Sequence, residues 1–341
     1  MRAARIFADL SLRVDEVPDP APGPGEVLVR VHAAGVCGTD LHILDGMIKP
    51  DPYPMTIGHE AAGVVEAAGE GAGNSPGDRV AVYNKLYCGS CEQCLTGRHN
   101  LCDNEPGQLG FNTDGGDAEY VVVPARNLVP VPTAVDFATA AVLSCAGMTA
   151  VHAVRLSSLR LGQTAVVDGI GGVGILVVQA ARHAGARVIA VADSEEKRQF
   201  ALSHGAADAL VVGQADDYAS LPGAVRELTG GRGADVFFEL VGTGESMTAG
   251  VRCLAKGGRF VSTGYTDQEL AIHPIEFILS ETSLISTVAA TRQDLQDAIR
   301  LAASGQMTVP IAGRYPLDGA QAALDALRKR AVLGRQVLDL R

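Results

Sequence analysis

The sequence predicts an α/β protein in two parts, an irregular β-rich lobe and a doubly wound parallel sheet. Three observations carry this. The first third holds short Val- and Leu-rich segments separated by Pro-Gly punctuation at 22–25 and 76–77, which suits a barrel-like lobe. From Gln163 onward, short and nearly continuous apolar strands alternate with helical stretches, as in a parallel sheet covered on both faces. Beyond about residue 290 the pattern turns mixed again, and this tail is expected to rejoin the first lobe, because a doubly wound sheet is complete before it.

Taken in order, strands are expected at Glu26–Ala33, Ala61–Ala68, Asp78–Val82, Glu119–Val123 and Leu128–Val131. Helices follow at Asp136–Val142 and Gly147–Leu156. The alternating series then runs Gln163–Val167 strand, Gly172–Ala184 helix, Arg187–Ala192 strand and Glu195–His204 helix. Strands at Ala209–Val212, Asp235–Leu240 and Arg259–Thr263 continue it. Gln293–Ala303 and Leu317–Lys329 read as helices and Arg335–Leu340 as a last strand.

The chain's 341 residues allow two domains at roughly 100–200 residues each. A content of 47% hydrophobic and 20% charged residues fits a large core, not disorder. The net charge of −11 opposes nucleic-acid and anionic-membrane partners. Residues 1–14 carry Arg2, Arg5 and Asp9 and no long apolar run, so no secretory signal is expected there. The most apolar window, Phe137–Val154, is interrupted by Ser144, Thr149 and His152 and falls short of a membrane span. A cytoplasmic protein is expected. Four of the seven cysteines crowd between 88 and 102, which in a long cytosolic chain favours metal ligation over disulfides.

Three constellations carry chemistry. Cys37-Gly-Thr-Asp-Leu-His42 and Gly58-His59-Glu60 bring a thiol, imidazoles and carboxylates into one short stretch. These are zinc donors, and a catalytic zinc keeps one position open. Cys37 and His59 are the firmest candidate ligands, with Cys145 proposed as the third. Glu60 is either a direct ligand or a nearby carboxylate able to displace water on the metal, and Asp40 is the candidate to hold the other ring nitrogen of His59. Cys88, Cys91, Cys94 and Cys102 can close a tetrahedron around a second, structural zinc in a lobe spanning 86–103, with two disulfides or a redox pair as the other readings. Gly169-Ile-Gly171-Gly172-Val173-Gly174 follows an apolar strand and opens a helix, the context that makes a glycine fingerprint a dinucleotide site. Asp193 ends the next strand, where a carboxylate accepts from an adenosine ribose and repels a 2′-phosphate, so NAD is favoured over NADP, with Arg198 leaving the NADP reading open. Val241 and Thr263, at the ends of later strands, complete the candidate cofactor contacts.

Together these motifs, with Cys145-Ala-Gly-Met-Thr149, resemble the zinc-dependent medium-chain alcohol dehydrogenases over nearly the whole length. The resemblance implies a GroES-like catalytic domain at 1–147 and 288–341, interrupted by a Rossmann coenzyme domain at 148–287, with the active site in the cleft between. It implies two Zn²⁺ per subunit, NAD, a small-molecule alcohol or carbonyl substrate, and a homo-oligomer, a tetramer in preference to a dimer. Thr39 and His42 then look like a proton relay and Arg335 like an arginine that reaches the cofactor phosphates. Gly38 stands where some relatives carry a basic residue, which is expected to weaken cofactor binding. The expected activity is hydride exchange between an alcohol and NAD. The alternatives are a carbonyl, enone or iminium reductase and, last, a non-enzymatic binding protein.

Overall fold

The structure, a computed structural model, describes residues 1–213, 215–330 and 332–341, and of residues 215 and 216 the backbone only. Eight strands come first: β1 (Arg2–Ile6), β2 (Leu12–Glu16), β3 (Glu26–Val36), β4 (Met55–Thr56), β5 (Ala61–Ala68), β6 (Arg79–Val82), β7 (Tyr120–Pro124) and β8 (Leu128–Pro130). Six follow in an alternating β/α series: β9 (Thr164–Asp168), β10 (Arg187–Ala192), β11 (Asp208–Val211), β12 (Ala234–Glu239), β13 (Leu254–Ser262) and β14 (Ser283–Ser286). The tail adds β15 (Ile311–Tyr315) and β16 (Arg335–Asp339). The chain divides into two compact units, Met1–Met148 with Ala289–Arg341, and Thr149–Val288.

In the first unit a GroES-like sheet runs β15-β16-β3-β5-β6-β8, with β7 also on β3. Its organiser is β3. Val27, Val29 and Val31 alternate inward, and from Ala33 to Val36 every residue is small or apolar and buried. That run carries the strand three residues past Ala33, the end expected from sequence, and delivers Cys37 at its tip. β16 pairs antiparallel with that far end, Gln336 opposite Val36, so the tail does return to the first lobe. Val27, Val29, Val31, Ile43, Ile57, Val65, Leu109 and Leu324 fill the core beneath. Each such side chain contributes about 1.5–3 kcal/mol when fully buried.

The N-terminal hairpin β1–β2 escaped the sequence reading because its residues mix charge and apolar character at both faces, as in the pairs Arg2–Glu16 and Arg5–Arg13. The two helices expected at 136–156 are one element. Phe137–Val142 and Met148–Leu156 are α-helical and a π-turn at Leu143–Gly147 joins them. The Asp136 side chain accepts from Thr139 N and fixes the start. This helix is long and apolar enough to cross a membrane by length and composition alone, but 67% of its most apolar window is buried in the fold.

The second unit is a doubly wound, all-parallel sheet in the order β11-β10-β9-β12-β13-β14. The order reverses between β9 and β12, which is where ligands bind in such sheets. Val166, Ile189, Val191, Phe237 and Phe260 form its core. Its outer strand β14, Ser-Leu-Ile-Ser, is short and half polar, and the sequence pattern missed it. β13 starts at Leu254, five residues earlier than expected, across a register shift opposite Ala234–Val236.

Candidate active site and metal centres

The tip of β3, the loop into β5 and the π-turn converge on one buried cluster. Donor atoms of Cys37, His59, Glu60 and Cys145 all lie within 4.8 Å of one another. A regular α-helix gives way at Cys145, and π-turns of this kind favour functional positions. Gly58 (φ 95°) lets the chain turn into His59, and a Cβ there would strike Asp117, 2.1 Å from Oδ1.

Asp40 links the elements. Its Oδ2 accepts from Cys37 N at 2.9 Å at the start of the helix Gly38–Leu44, and its Oδ1 lies 3.1 Å from His59 Nδ1. His59 Nε2 is buried and has no hydrogen-bond partner. An orphaned imidazole nitrogen facing two thiols is what a cation would satisfy. Burial disfavours the charged His59 ring, yet the Asp40 and Cys37 charges outweigh it and hold the ring's pKa well above the usual range. A hydrogen bond from Cys145 draws the Cys37 thiol well below its ordinary value, and the same contact holds Cys145 well above. A metal ion would replace the proton these two sulfurs share. The donor set fits zinc, with Cys37, His59 and Cys145 able to hold it and Glu60 adjacent.

Glu60 is fully buried. Its Oε1 accepts from Arg335 Nη2 at 2.5 Å, and its Oε2 has no partner. Burial pushes its carboxyl up to about 7 against the pull of Arg335. Arg335 also donates to Val36 O at 3.0 Å, so this guanidinium is held against Glu60 and the β3 tip. Gly35 makes the room: a Cβ there would lie 1.9 Å from Glu60 Oε2. Thr39 Oγ1 stands 3.7 Å from Cys37 Sγ. His42 lies one turn further along the same helix.

The second cluster is the thiolate quartet. Cys88 Sγ and Cys94 Sγ are 3.9 Å apart, as are those of Cys91 and Cys102. Zn–S bonds of about 2.3 Å in a tetrahedron require sulfurs roughly 3.8 Å apart. All seven cysteines are free, so the disulfide alternative falls. Backbone N–H groups of Ser90 and Cys91 donate to Cys88 Sγ and bring its thiol down to about 5, whereas burial raises Cys94 to about 12. Lys85–Glu105, at 2.6 Å, and Arg126 Nη1 to Cys88 O, at 3.2 Å, tie the lobe down.

In the second unit the glycine loop has the shape a dinucleotide needs. Gly169 takes φ 98° at the end of β9, and a Cβ on Gly174 would lie 2.0 Å from Gly169 O, so helix and strand pack as closely as the motif requires. Gly171 is exposed and a Cβ on it would meet only open space, the gap a pyrophosphate would fill. Gly172 and Val173 lead into the helix Gly174–His183. Asp193 sits past the end of β10 with Lys197 Nζ at 2.7 Å. Arg198 turns aside to Glu195, bonding both its oxygens at 2.7 and 2.8 Å. Val241 is packed over Gly169, 3.1 Å from where a Cβ would stand, and Thr263 Oγ1 accepts from Thr287 at 3.3 Å.

Sequence reasoning missed Lys197, Gly35, Asn84 and Asp117. Asn84 donates to His59 O at 3.0 Å and to Ser144 O at 3.4 Å, tying two ligand segments together. Asp117 is a fully buried carboxylate whose pKa burial raises well above the usual range. No motif marks them. Tyr83 is core, its hydroxyl donating to Ala290 O at 2.7 Å.

Comparison with known proteins agrees with this arrangement. Residues 23–133 match the alcohol dehydrogenase GroES-like domain and residues 172–304 the zinc-binding dehydrogenase domain. An alcohol dehydrogenase of Geobacillus stearothermophilus is 35% identical, covering 96% of each chain. An NAD-dependent alcohol dehydrogenase of Sulfurisphaera tokodaii is 33% identical over 99% of each. The crystal structure of AibC superposes with a TM-score of 0.93 at 36% identity, covering 99% of this chain and 95% of that one. With both domain families matched and the two sulfur-bearing clusters and the glycine loop in place, the chain belongs to the zinc-dependent medium-chain alcohol dehydrogenases.

Proposed function

We propose that this protein is an NAD-dependent zinc alcohol dehydrogenase that exchanges hydride between a primary, secondary or cyclic alcohol and NAD, giving an aldehyde or ketone. The buried Cys37–His59–Cys145 donor set with Glu60 beside it carries this reading. Bound zinc supplies a Lewis acid for the substrate oxygen, and the dinucleotide supplies the hydride acceptor.

The chain's own residues do the rest. Asp40 keeps the His59 ring oriented through Nδ1, leaving Nε2 to the metal. Thr39 borders the donor cluster, and a hydroxyl can accept an alcohol proton while donating its own. His42, three residues on along the same helix, is the group toward which the relay would carry that proton. Gly169–Gly174 would hold the pyrophosphate and Asp193, braced by Lys197, the adenosine ribose. The engagement of Arg198 with Glu195 leaves a 2′-phosphate without that partner, which supports NAD over NADP. The thiolate quartet takes a second zinc with a structural role.

We propose a cytoplasmic location, which the seven unpaired thiols support, since reducing compartments keep cysteines free. We also expect a homo-oligomer, with the tetramer favoured. In support, β14 is an edge strand, and Leu284 with Ile275, Ile278 and Leu279 nearby in sequence leaves apolar side chains exposed on the second unit.

The test is zinc content per subunit measured beside NADH formation over primary, secondary, cyclic and polyol alcohols. Two zincs with NAD-linked oxidation are expected. One zinc and no turnover would reject the catalytic site.

A further inference from the structure

The backbone carbonyls that lead into His59 are each held in place. Gly115 N donates to Thr56 O at 2.8 Å, Asp117 N to Ile57 O at 3.0 Å and Gly116 N to Gly58 O at 2.7 Å. The next carbonyl, His59 O, is held by a side chain instead. Asn84 Nδ2 donates to it at 3.0 Å and to Ser144 O at 3.4 Å. Ser144 immediately precedes Cys145 in the π-turn. One amide group therefore joins the backbone of one candidate ligand to the backbone beside another. Both neighbours are carbonyl oxygens, so only the NH₂ end of the amide can face them.

Asn84 is itself firmly anchored. It lies just past the end of β6 and is 2% exposed. Its carbonyl accepts from Leu109 N at 3.0 Å. Asn127, fully buried, donates to the carbonyls on either side of it, Tyr83 O at 2.8 Å and Lys85 O at 2.9 Å. Asn84 Oδ1, by contrast, is buried without a hydrogen-bond partner. Burying an unpaired acceptor is costly. The two N–H groups on the same amide must offset that cost, and what they hold is the pair of ligand segments.

We propose that Asn84 is a positioning residue for the catalytic metal, which fixes the spacing of the His59 and Cys145 segments before the ion arrives. Ligands already held in place lose less freedom on binding, so affinity rises and the coordination geometry is narrowed. The metal half rests on the zinc reading of Cys37, His59 and Cys145; the coupling of the two segments does not.

Asn84→Leu keeps the forked shape of the side chain and removes both donors. Asn84→Ala serves if that variant does not fold. Tyr83→Phe is the control: the neighbouring residue loses a buried hydrogen bond, to Ala290 O, that touches neither ligand segment.

Chelator competition on the zinc-loaded protein should show the catalytic zinc held about tenfold more weakly in Asn84→Leu, the lower end of what outer partners of metal ligands contribute. Zinc in the thiolate quartet should be unaffected. With cobalt in place of the catalytic zinc, the visible absorption bands, which report ligand geometry, should shift in Asn84→Leu and not in Tyr83→Phe. Amide hydrogen exchange should quicken together across residues 56–61 and 143–148. Unchanged affinity and cobalt bands, with two zincs present, would overturn the positioning role. Equal changes in Tyr83→Phe would overturn it as well, because the effect would then be a general loss of stability. Wild type that holds only the quartet zinc would reject the zinc reading. In that case quickened exchange in both segments would still support the coupling, and unchanged exchange would overturn it.

Discussion

Gly35→Ala adds one methyl group, and its effect is calculable. The nearest heavy atoms to that Cβ, other than its chain neighbours, all belong to Glu60: Oε2 at 1.9 Å, Cδ at 2.9 Å and Cβ at 3.0 Å. Ordinary contact begins near 3.4 Å. The carboxylate must therefore retreat by about 1.5 Å, which breaks its 2.5 Å bond to Arg335. A charge-assisted hydrogen bond contributes about 1.5–3 kcal/mol and overpacking costs about 1–3 kcal/mol, so the variant should lose roughly 2–6 kcal/mol. At 2–4 °C per kcal/mol, melting should fall by about 4–24 °C. Calorimetry of the zinc-loaded protein measures this. A double-mutant cycle with Glu60→Ala assigns the cause, because in that background most of the clash is gone and Gly35→Ala should cost under about 1.5 kcal/mol. Equal costs in both backgrounds would refute the reasoning, as would a melting point within about 2 °C of wild type.

Other expectations are as direct. Thr39→Val should abolish alcohol oxidation while zinc content and NADH binding stay near normal; retained turnover would remove Thr39 from the relay. Asp40→Asn leaves one oxygen for two donors, Cys37 N and His59 Nδ1, so affinity for the catalytic zinc should fall about 10–100-fold in chelator competition. Cys94→Ser should lower zinc by one per subunit and reduce the melting temperature, since it opens a closed thiolate site; an unchanged melt with full zinc would contradict that role. Asp193→Ser should weaken NAD about tenfold or more through loss of a charge-assisted bond, and shift the NAD-to-NADP preference measured by initial rates.

Much of this site was legible because its parts are short motifs with their own chemistry. Cys37 and His59 share one short stretch and Cys145 lies far from both in sequence, yet β3, the β5 loop and the π-turn bring their donor atoms within 4.8 Å. The central strands of the parallel sheet were legible from their apolar runs, since burial on both faces leaves little else. What escaped was carried by tertiary contact. Gly35 reads as one more small residue in a strand, and only Glu60 gives it a reason. Asn84 reads as a strand-end polar residue, and only the two backbone carbonyls it joins reveal it. Arg335 could be placed near the site from the sequence, but its partner here is Glu60, a pairing set by β16 returning alongside β3. The edge strands β2 and β14 lack alternation because their outer faces meet little of the core.

The π-turn at Leu143–Gly147 amounts to one extra residue wedged into an otherwise regular helix. Removing any one of those five residues would let the ladder close as plain α-helix. Each residue advances an α-helix by about 100°. The bulge absorbs its extra residue within one wide turn, so the deletion would unwind nothing and leave the flanking helices nearly in phase, while the residues of the wedge itself, Cys145 among them, would point in new directions. Such a shortened protein should be at least as resistant to heat locally, and blind to metal at Cys145. Insertion and deletion tolerance across 137–156 should therefore show a sharp split, with folding preserved and catalysis lost at the same codons.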